Sequence, residues 1–287
     1  MTKVLISLAN YDFTHSQKIL EKSALKNGVA RVFSYSFEKD ILGTSFYKKN
    51  KKILDSPIWS WYWTRKPYII LKTFEALDDD DMIIYSDAWI KVLHNLEPLF
   101  SLCEKQWWML FFHNDYINKQ YTKRDCFWLM DADHAEYHHA LQTVWWFHVW
   151  QKNVRSIELL EEWLKYMEDP RIVTDIPNQL WEPNYIEFVE HRHDQSVLSL
   201  LTVKHKITTF RDPSQYGNHH KAIQWREKNE FLTKSYDQPD DKSSYKTLIL
   251  LHRRRNITIQ KLLSKWPYFF RIFCKNKFFS ISKKIYR

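Results

Sequence analysis

The stretch DDDDMIIYSDAWI, residues 78–90, decides the fold. Four acids precede the apolar run Met82-Ile83-Ile84-Tyr85, and Ser86, Asp87 and Ala88 follow it. A short β-branched and aromatic run bounded by polar turn signals is the pattern of a buried strand. Asp87 then falls at the strand's carboxyl end, where open α/β sheets bind ligands. A carboxylate there is a hard oxygen ligand that can share a divalent cation with a diphosphate. The same position suits the cap of a helix over residues 90–100, so this stretch alone leaves both roles open.

Working outward, KVLISLA (residues 3–9) reads as a first strand. Residues 16–26 read as a helix stopped by Asn27-Gly28, and VARVFSY (29–35) as a second strand. A β-α-β opening predicts an α/β fold, a mixed and mainly parallel sheet flanked by helices. Residues 46–54 are a basic helix or loop, and an aromatic cluster then leads through Pro67 into a helix. Beyond Asp87, residues 96–105 read as helix, 109–113 and 144–149 as strands, and 156–167 as an amphipathic helix. FWLMDADH (127–134) contains a literal Asp-x-Asp at Asp131 and Asp133, which would also serve as the start of a helix over residues 135–142. EHRHDQSVLSLL (190–201) places Asp194 as an N-cap. It gathers His191, Arg192 and His193 at a helix N-terminus, a natural anion site. There Arg192 suits phosphate and His193 suits a metal.

The composition holds two anomalies. Glycine occurs 3 times in 287 residues, where average usage would give roughly 20. Tryptophan occurs 14 times. The three cysteines, Cys103, Cys126 and Cys274, are far apart and form no CxxC pair, which argues against a zinc ribbon or a disulfide framework. No apolar run has the length of a signal-peptide core or a membrane span, so a cytoplasmic protein is expected. The net charge is +9, yet residues 245–287 alone carry twelve Lys and Arg and no acid, leaving the rest mildly acidic. Nucleic acid is therefore not expected as a partner. The expected division is a catalytic body (1–234), an acidic linker (235–244) and a basic, aromatic helical tail (245–287). Such a tail suits the anionic inner face of a membrane.

YWTRKPYII (62–70), DMIIYSDA (81–88), TKRDCF (122–127) and HRHDQSVLSLL (191–201) together resemble a family of bacterial GT-A-type glycosyltransferases of surface-polysaccharide synthesis. The resemblance implies a GT-A-like fold. It also implies transfer of a sugar from a nucleotide-sugar donor to a glycan or lipid-linked acceptor, with Mn2+ or Mg2+ bridging the donor diphosphate. By that resemblance Asp87 is a metal ligand and His193 a second ligand or phosphate contact. Lys66, Tyr85 and Arg192 bind the donor, and Asp194 and Gln195 orient the reacting sugars. It favours Asp87 over the Asp131/Asp133 pair. A metal-dependent hydrolase or phosphotransferase built on Asp87, Asp131, Asp133 and His193 is the alternative.

Where the family pattern has glycine before Lys66, this chain has Trp59 and Trp61, and Trp89 follows Asp87 in the same way. Trp107, Trp108, Trp145, Trp146 and Trp181 also sit at turn-like places. The expectation is that several of these are glycine codons read as tryptophan, as happens when UGA is assigned the wrong meaning. Genuine divergence into an aromatic-lined sugar site is the alternative.

Overall fold

A computed structural model describes residues 1–10, 13–55, 64–218 and 245–252. Trp59, Trp61, the expected linker and residues 253–287 lie outside the described residues. The chain opens with β1 (Lys3–Ala9), α1 (Thr14–Leu25) and β2 (Arg31–Ser36), followed by a π-helical turn at Phe37–Ile41. Next come α2 (Ser45–Lys49), α3 (Lys51–Leu54), α4 (Arg65–Phe74), β3 (Met82–Ser86), β4 (Ile90–Val92) and α5 (Glu97–Cys103). The middle holds β5 (Trp108–Ile117), α6 (Asn118–Tyr121), α7 (Arg124–Leu129), α8 (Ala135–His139), β6 (Leu141–Thr143) and β7 (Phe147–Gln151). It closes with α9 (Val154–Met167), α10 (Pro170–Val173), α11 (Asp194–Lys204), β8 (Thr209–Arg211), α12 (Gln215–Asn218) and β9 (Ile249–Leu251).

The main sheet has the order β2-β1-β3-β7-β5-β6, with β8 beside β5. β2, β1 and β3 are mutually parallel and β8 is parallel to β5, while β7 and β6 run against their neighbours. Among the described residues five of the seven strands thus point the same way. Alternation along β1 sends Val4, Ile6 and Leu8 into one layer and Leu5 into the other. The first layer contains α4, α9 and α11, with Ile69, Ile70, Trp163, Leu198 and Leu201 against Ile83, Tyr85 and Trp150. The second contains α1 and α5, with Leu20, Leu99 and Phe100 against Ile84 and Phe147. Because helices cover both faces, all five residues of β3 are buried, as its unbroken apolar run requires.

No helix starts at Ile90. Residues 90–92 are β4, antiparallel to β9, and the helix begins only at Glu97, with Pro98 in its first turn. Asp87 therefore caps no helix. β9 also places the start of the expected tail in the body: Tyr245, Leu248, Ile249 and Leu251 are buried in the second layer.

Candidate active site

Three elements converge at the carboxyl end of β3. Asp87 lies one residue past the strand, and its N–H donates to the Trp146 carbonyl at 2.8 Å, prolonging the β3–β7 ladder. Tyr85, two residues earlier and so on the same face, donates its hydroxyl to Asp87 Oδ1 at 2.8 Å. Lys66, from the first turn of α4, reaches between two carboxylates. Its Nζ is 2.6 Å from Asp194 Oδ2 and 4.0 Å from Asp87 Oδ1, and it donates to the Trp145 carbonyl at 3.0 Å. It also stands 5.5 Å from the centre of the Tyr85 ring. Lys66, Asp87 and Asp194 are each 5% exposed or less.

Lys66 serves both buried carboxylates, and the neighbouring buried Arg65 adds a weaker pull on Asp87. Burial pushes Asp87 up to about 6, against the opposing pull of Lys66. Burial also raises Asp194, again opposed by Lys66. The Tyr85 phenol is held well above its usual value, first by burial and then by Asp87. His148, paired with Tyr85 across β3 and β7 and stacked on its ring at 4.8 Å, is held neutral by burial and by Lys66. Asp87 Oδ2 and both side-chain polar atoms of Gln195 are buried and have no hydrogen-bond partner among the described residues.

Asp194 is not the N-cap. That position belongs to His193, whose φ is +52°, and Asp194 is the first helical residue, its carboxylate turned to Lys66. His193 Nε2 is 2.9 Å from Asp175 Oδ1. The Arg192 guanidinium pairs with Glu190 and lies over the rings of Tyr116 and Tyr121, at 4.9 and 5.2 Å. His191 is structural: burial keeps it neutral, it accepts from Lys123 N at 3.3 Å and donates through Nε2 to Ile172 O at 2.7 Å. So Lys66, Tyr85, Asp87 and Asp194 touch one another, whereas His193 and Arg192 hold other partners. Asp175 and His148 escaped the sequence reading. Asp175 stands in a loop with no motif, and His148 lies in a strand buried along its whole length, whose pairing opposite Tyr85 leaves no local signal.

The rival pair does not form a joint site: Asp133 is engaged elsewhere and Asp131 faces solvent. Asp131 is exposed with φ +54°. Asp133 accepts from Arg124, at 2.8 Å from Nη2, and from the Tyr185 hydroxyl at 2.6 Å, and it meets His138 Nε2 at 2.9 Å. These bonds hold its carboxyl below the usual range despite burial. Of the two, Asp133 alone ties α7, α8 and the 174–193 loop together.

Asp87 Oδ2 suits a hard divalent cation, since such ions on diphosphates take one or two protein carboxylates. Among the described residues no three His, Cys, Asp or Glu side chains gather to hold an ion by themselves. No protein-family model matches the chain, and no curated protein matches its sequence. Among solved structures it is similar to the apo form of mouse xyloside xylosyltransferase 1, at 10% identity and a TM-score of 0.45, over 88% of this chain and 98% of that one.

Proposed function

We propose that the chain is a glycosyltransferase moving a sugar from a nucleotide-sugar donor to a glycan or lipid-linked acceptor. One observation carries the reading: Lys66 stands between buried Asp87 and Asp194 at a sheet's carboxyl end, and Asp87 keeps an unpartnered oxygen. In the transfer, the anomeric carbon's bond to the diphosphate oxygen breaks, a bond to the acceptor oxygen forms and the acceptor proton is released. A bound Mn2+ or Mg2+ would act as Lewis acid on the departing diphosphate. Asp87 would hold it through Oδ2, with His193 as a second ligand and diphosphate oxygens completing the shell. Lys66 supplies a fixed positive charge where the leaving group gains negative charge, and Arg192 a second once it leaves Glu190. Asp194 aims Lys66, Tyr85 aims Asp87, and Gln195 offers an amide to sugar hydroxyls. A thermal-shift screen of UDP-, GDP-, CMP- and dTDP-sugars with Mn2+ tests this. One donor should stabilise the wild type and leave Asp87→Asn unmoved. Loss of the response in Asp133→Asn instead would favour the hydrolase.

The tail reading adds a peripheral position on the inner membrane face, near lipid-linked acceptors. No helix among the described residues is long and apolar enough to cross a membrane. Recoding of tryptophan belongs here too, because Trp89, Trp145 and Trp146 flank Asp87. Its support is in the backbone: Trp107 and Trp181 have φ of +70° and +73°, left-handed values that are outliers for bulky side chains and ordinary for glycine. Trp107 N accepts a helix-end role, donating to Cys103 O at 2.7 Å, and the Trp181 indole is 96% exposed. Trp150 and Trp163, by contrast, are fully buried core residues. Peptide masses of the native protein should show glycine at 107 and 181 and tryptophan at 150 and 163; indole masses at 107 and 181 would sink the reading.

A further inference from the structure

Three features meet at one edge of the sheet, the edge marked by the carboxyl end of β3. The first is the cluster itself, Asp87 with Lys66 and Asp194. The second is the point where the C-terminal segment leaves the body. β9 runs antiparallel to β4, which starts three residues after Asp87, so the chain travels back along β4 towards Asp87. His252 N donates to the Trp89 carbonyl at 3.1 Å, two residues from Asp87. Arg253, Arg254 and Arg255 follow at once, and residues 253–287 carry eleven Lys and Arg, eight aromatic residues and no acid.

The third feature is apolar. β3 and β5 both run against β7 and so point the same way, and α6 follows the carboxyl end of β5 at this edge. The loop before α11 is bonded to α6 through its backbone: Val189 N donates to Gln120 O at 2.8 Å and Arg192 N to Tyr121 O at 3.0 Å. Two residues after Arg192 comes Asp194, bonded to Lys66, so the loop borders the cluster. Within it Ile186 is 97% exposed and Val189 61%. The carboxylates beside them are paired, Glu187 with Lys119 at 2.7 Å and Glu190 with Arg192. The rim is also tied down, since Tyr185 donates to Asp133 at 2.6 Å and Phe188 N to Tyr185 O at 2.9 Å. Aliphatic side chains fixed in water gain free energy on meeting an apolar phase.

We propose that this edge is the face the protein turns to an anionic lipid surface, Ile186 and Val189 entering at headgroup depth while the basic segment beyond His252 holds the body down beside Asp87. A lipid surface suits both features, offering negative charge to the cations and acyl chains to the aliphatic residues. A second copy of this chain would instead bring another eleven positive charges to the same edge. Two aliphatic side chains contribute too little to hold the body alone, so the tail supplies most of the affinity and the rim sets the orientation. The presence of a membrane rests on the tail reading under the proposed function, and the choice of edge on the topology alone.

Site-directed labelling of the full chain tests it. An environment-sensitive NBD fluorophore is attached to Ile186→Cys, Val189→Cys or Asp79→Cys, each in a Cys274→Ser background, since Cys103 and Cys126 are buried. Asp79, its side chain 87% exposed, precedes β3 and marks the opposite edge. With vesicles rich in anionic lipid at low salt, emission at 186 and 189 should shift to the blue and brighten, and at 79 it should not change. Ile186→Ser with Val189→Ser should weaken vesicle binding about tenfold with the salt dependence unchanged, because the lost contact is apolar. Equal shifts at all three positions, or none at any on vesicles the chain binds, overturn the orientation. A chain that binds no such vesicles overturns the proposal and leaves the glycosyltransferase reading standing, because donor binding is read separately by thermal shift. A blue shift at 186 and 189 that grows with protein concentration and needs no vesicle gives the rim to a second copy and overturns the lipid contact.

Discussion

Asp87 is ionised at neutral pH in a place that disfavours ionisation, and the sign of the effect can be worked through. Its carboxyl sits near 6 in the fold and at 3.8 in a free chain, so the folded state binds the proton more tightly. Stability from this group is greatest below 3.8 and falls as pH rises towards 6. Above that, ionised Asp87 costs about 3 kcal/mol, two pH units at 1.36 kcal/mol each and a little more. Asparagine carries no such cost and can still accept from Tyr85. Asp87→Asn is therefore expected to raise the urea midpoint at pH 7–8, with the gain shrinking to nothing near pH 4. Equal midpoints for variant and wild type across that range would mean Asp87 is not the destabilised acid described here. A site residue whose removal stabilises the fold is what retention for function, rather than for packing, looks like.

Among the elements, α4, α11 and the end of β3 are joined by Lys66, and their docking should depend on it. Replacing one partner of a buried pair strands the other charges, at about 3–5 kcal/mol. Lys66→Met is expected to lose stability on that scale at pH 7. The loss should shrink as pH falls, because the stranded carboxylates of Asp87 and Asp194 take up protons. Adding Asp194→Asn should recover much of it, and chemical denaturation of the four-member mutant cycle measures the coupling. Simple additivity of the two changes would contradict the pairing. This convergence was only partly legible in sequence. The MIIYS run announced β3, and the apolar face of Leu159, Leu160, Trp163 and Met167 announced α9, because burial writes its period locally. Residues 90–92 suit a helix as well as β4 locally, because their partner, β9, lies in the far C-terminal part of the chain and cross-strand pairing leaves no local trace. Asp194 was read as a cap because that role needs only neighbouring residues, while the ammonium that claims it is 128 positions away. The left-handed turn at His193 had no glycine or asparagine to signal it.

For the molecule as a whole, the division between body and tail sets how membrane association can be tested. The tail's basic residues begin at Lys246, but the segment from Tyr245 to His252 belongs to the body. β9 pairs with β4 through Ile90–Leu251, Lys91–Leu250 and Val92–Ile249. Gln215 brackets Leu251, donating to its carbonyl and accepting from its N–H, both at 3.0 Å. Tyr245 donates to Arg211 O while Arg211 donates back to the Tyr245 carbonyl, with the guanidinium over the ring. Burying Tyr245, Leu248, Ile249 and Leu251 contributes about 1.5–3 kcal/mol each, a sum comparable with the whole stability of an ordinary domain. A chain ending at Ser244 is therefore expected to unfold or aggregate, and any loss of vesicle binding it showed would say nothing about lipid. A chain ending at His252 keeps β9 and sheds eleven basic residues. It should melt like the full chain yet fail to float with vesicles rich in anionic lipid at low salt, since each Lys or Arg near such a surface is worth about 1 kcal/mol. Flotation undiminished in the His252 chain would place any lipid contact on the body instead.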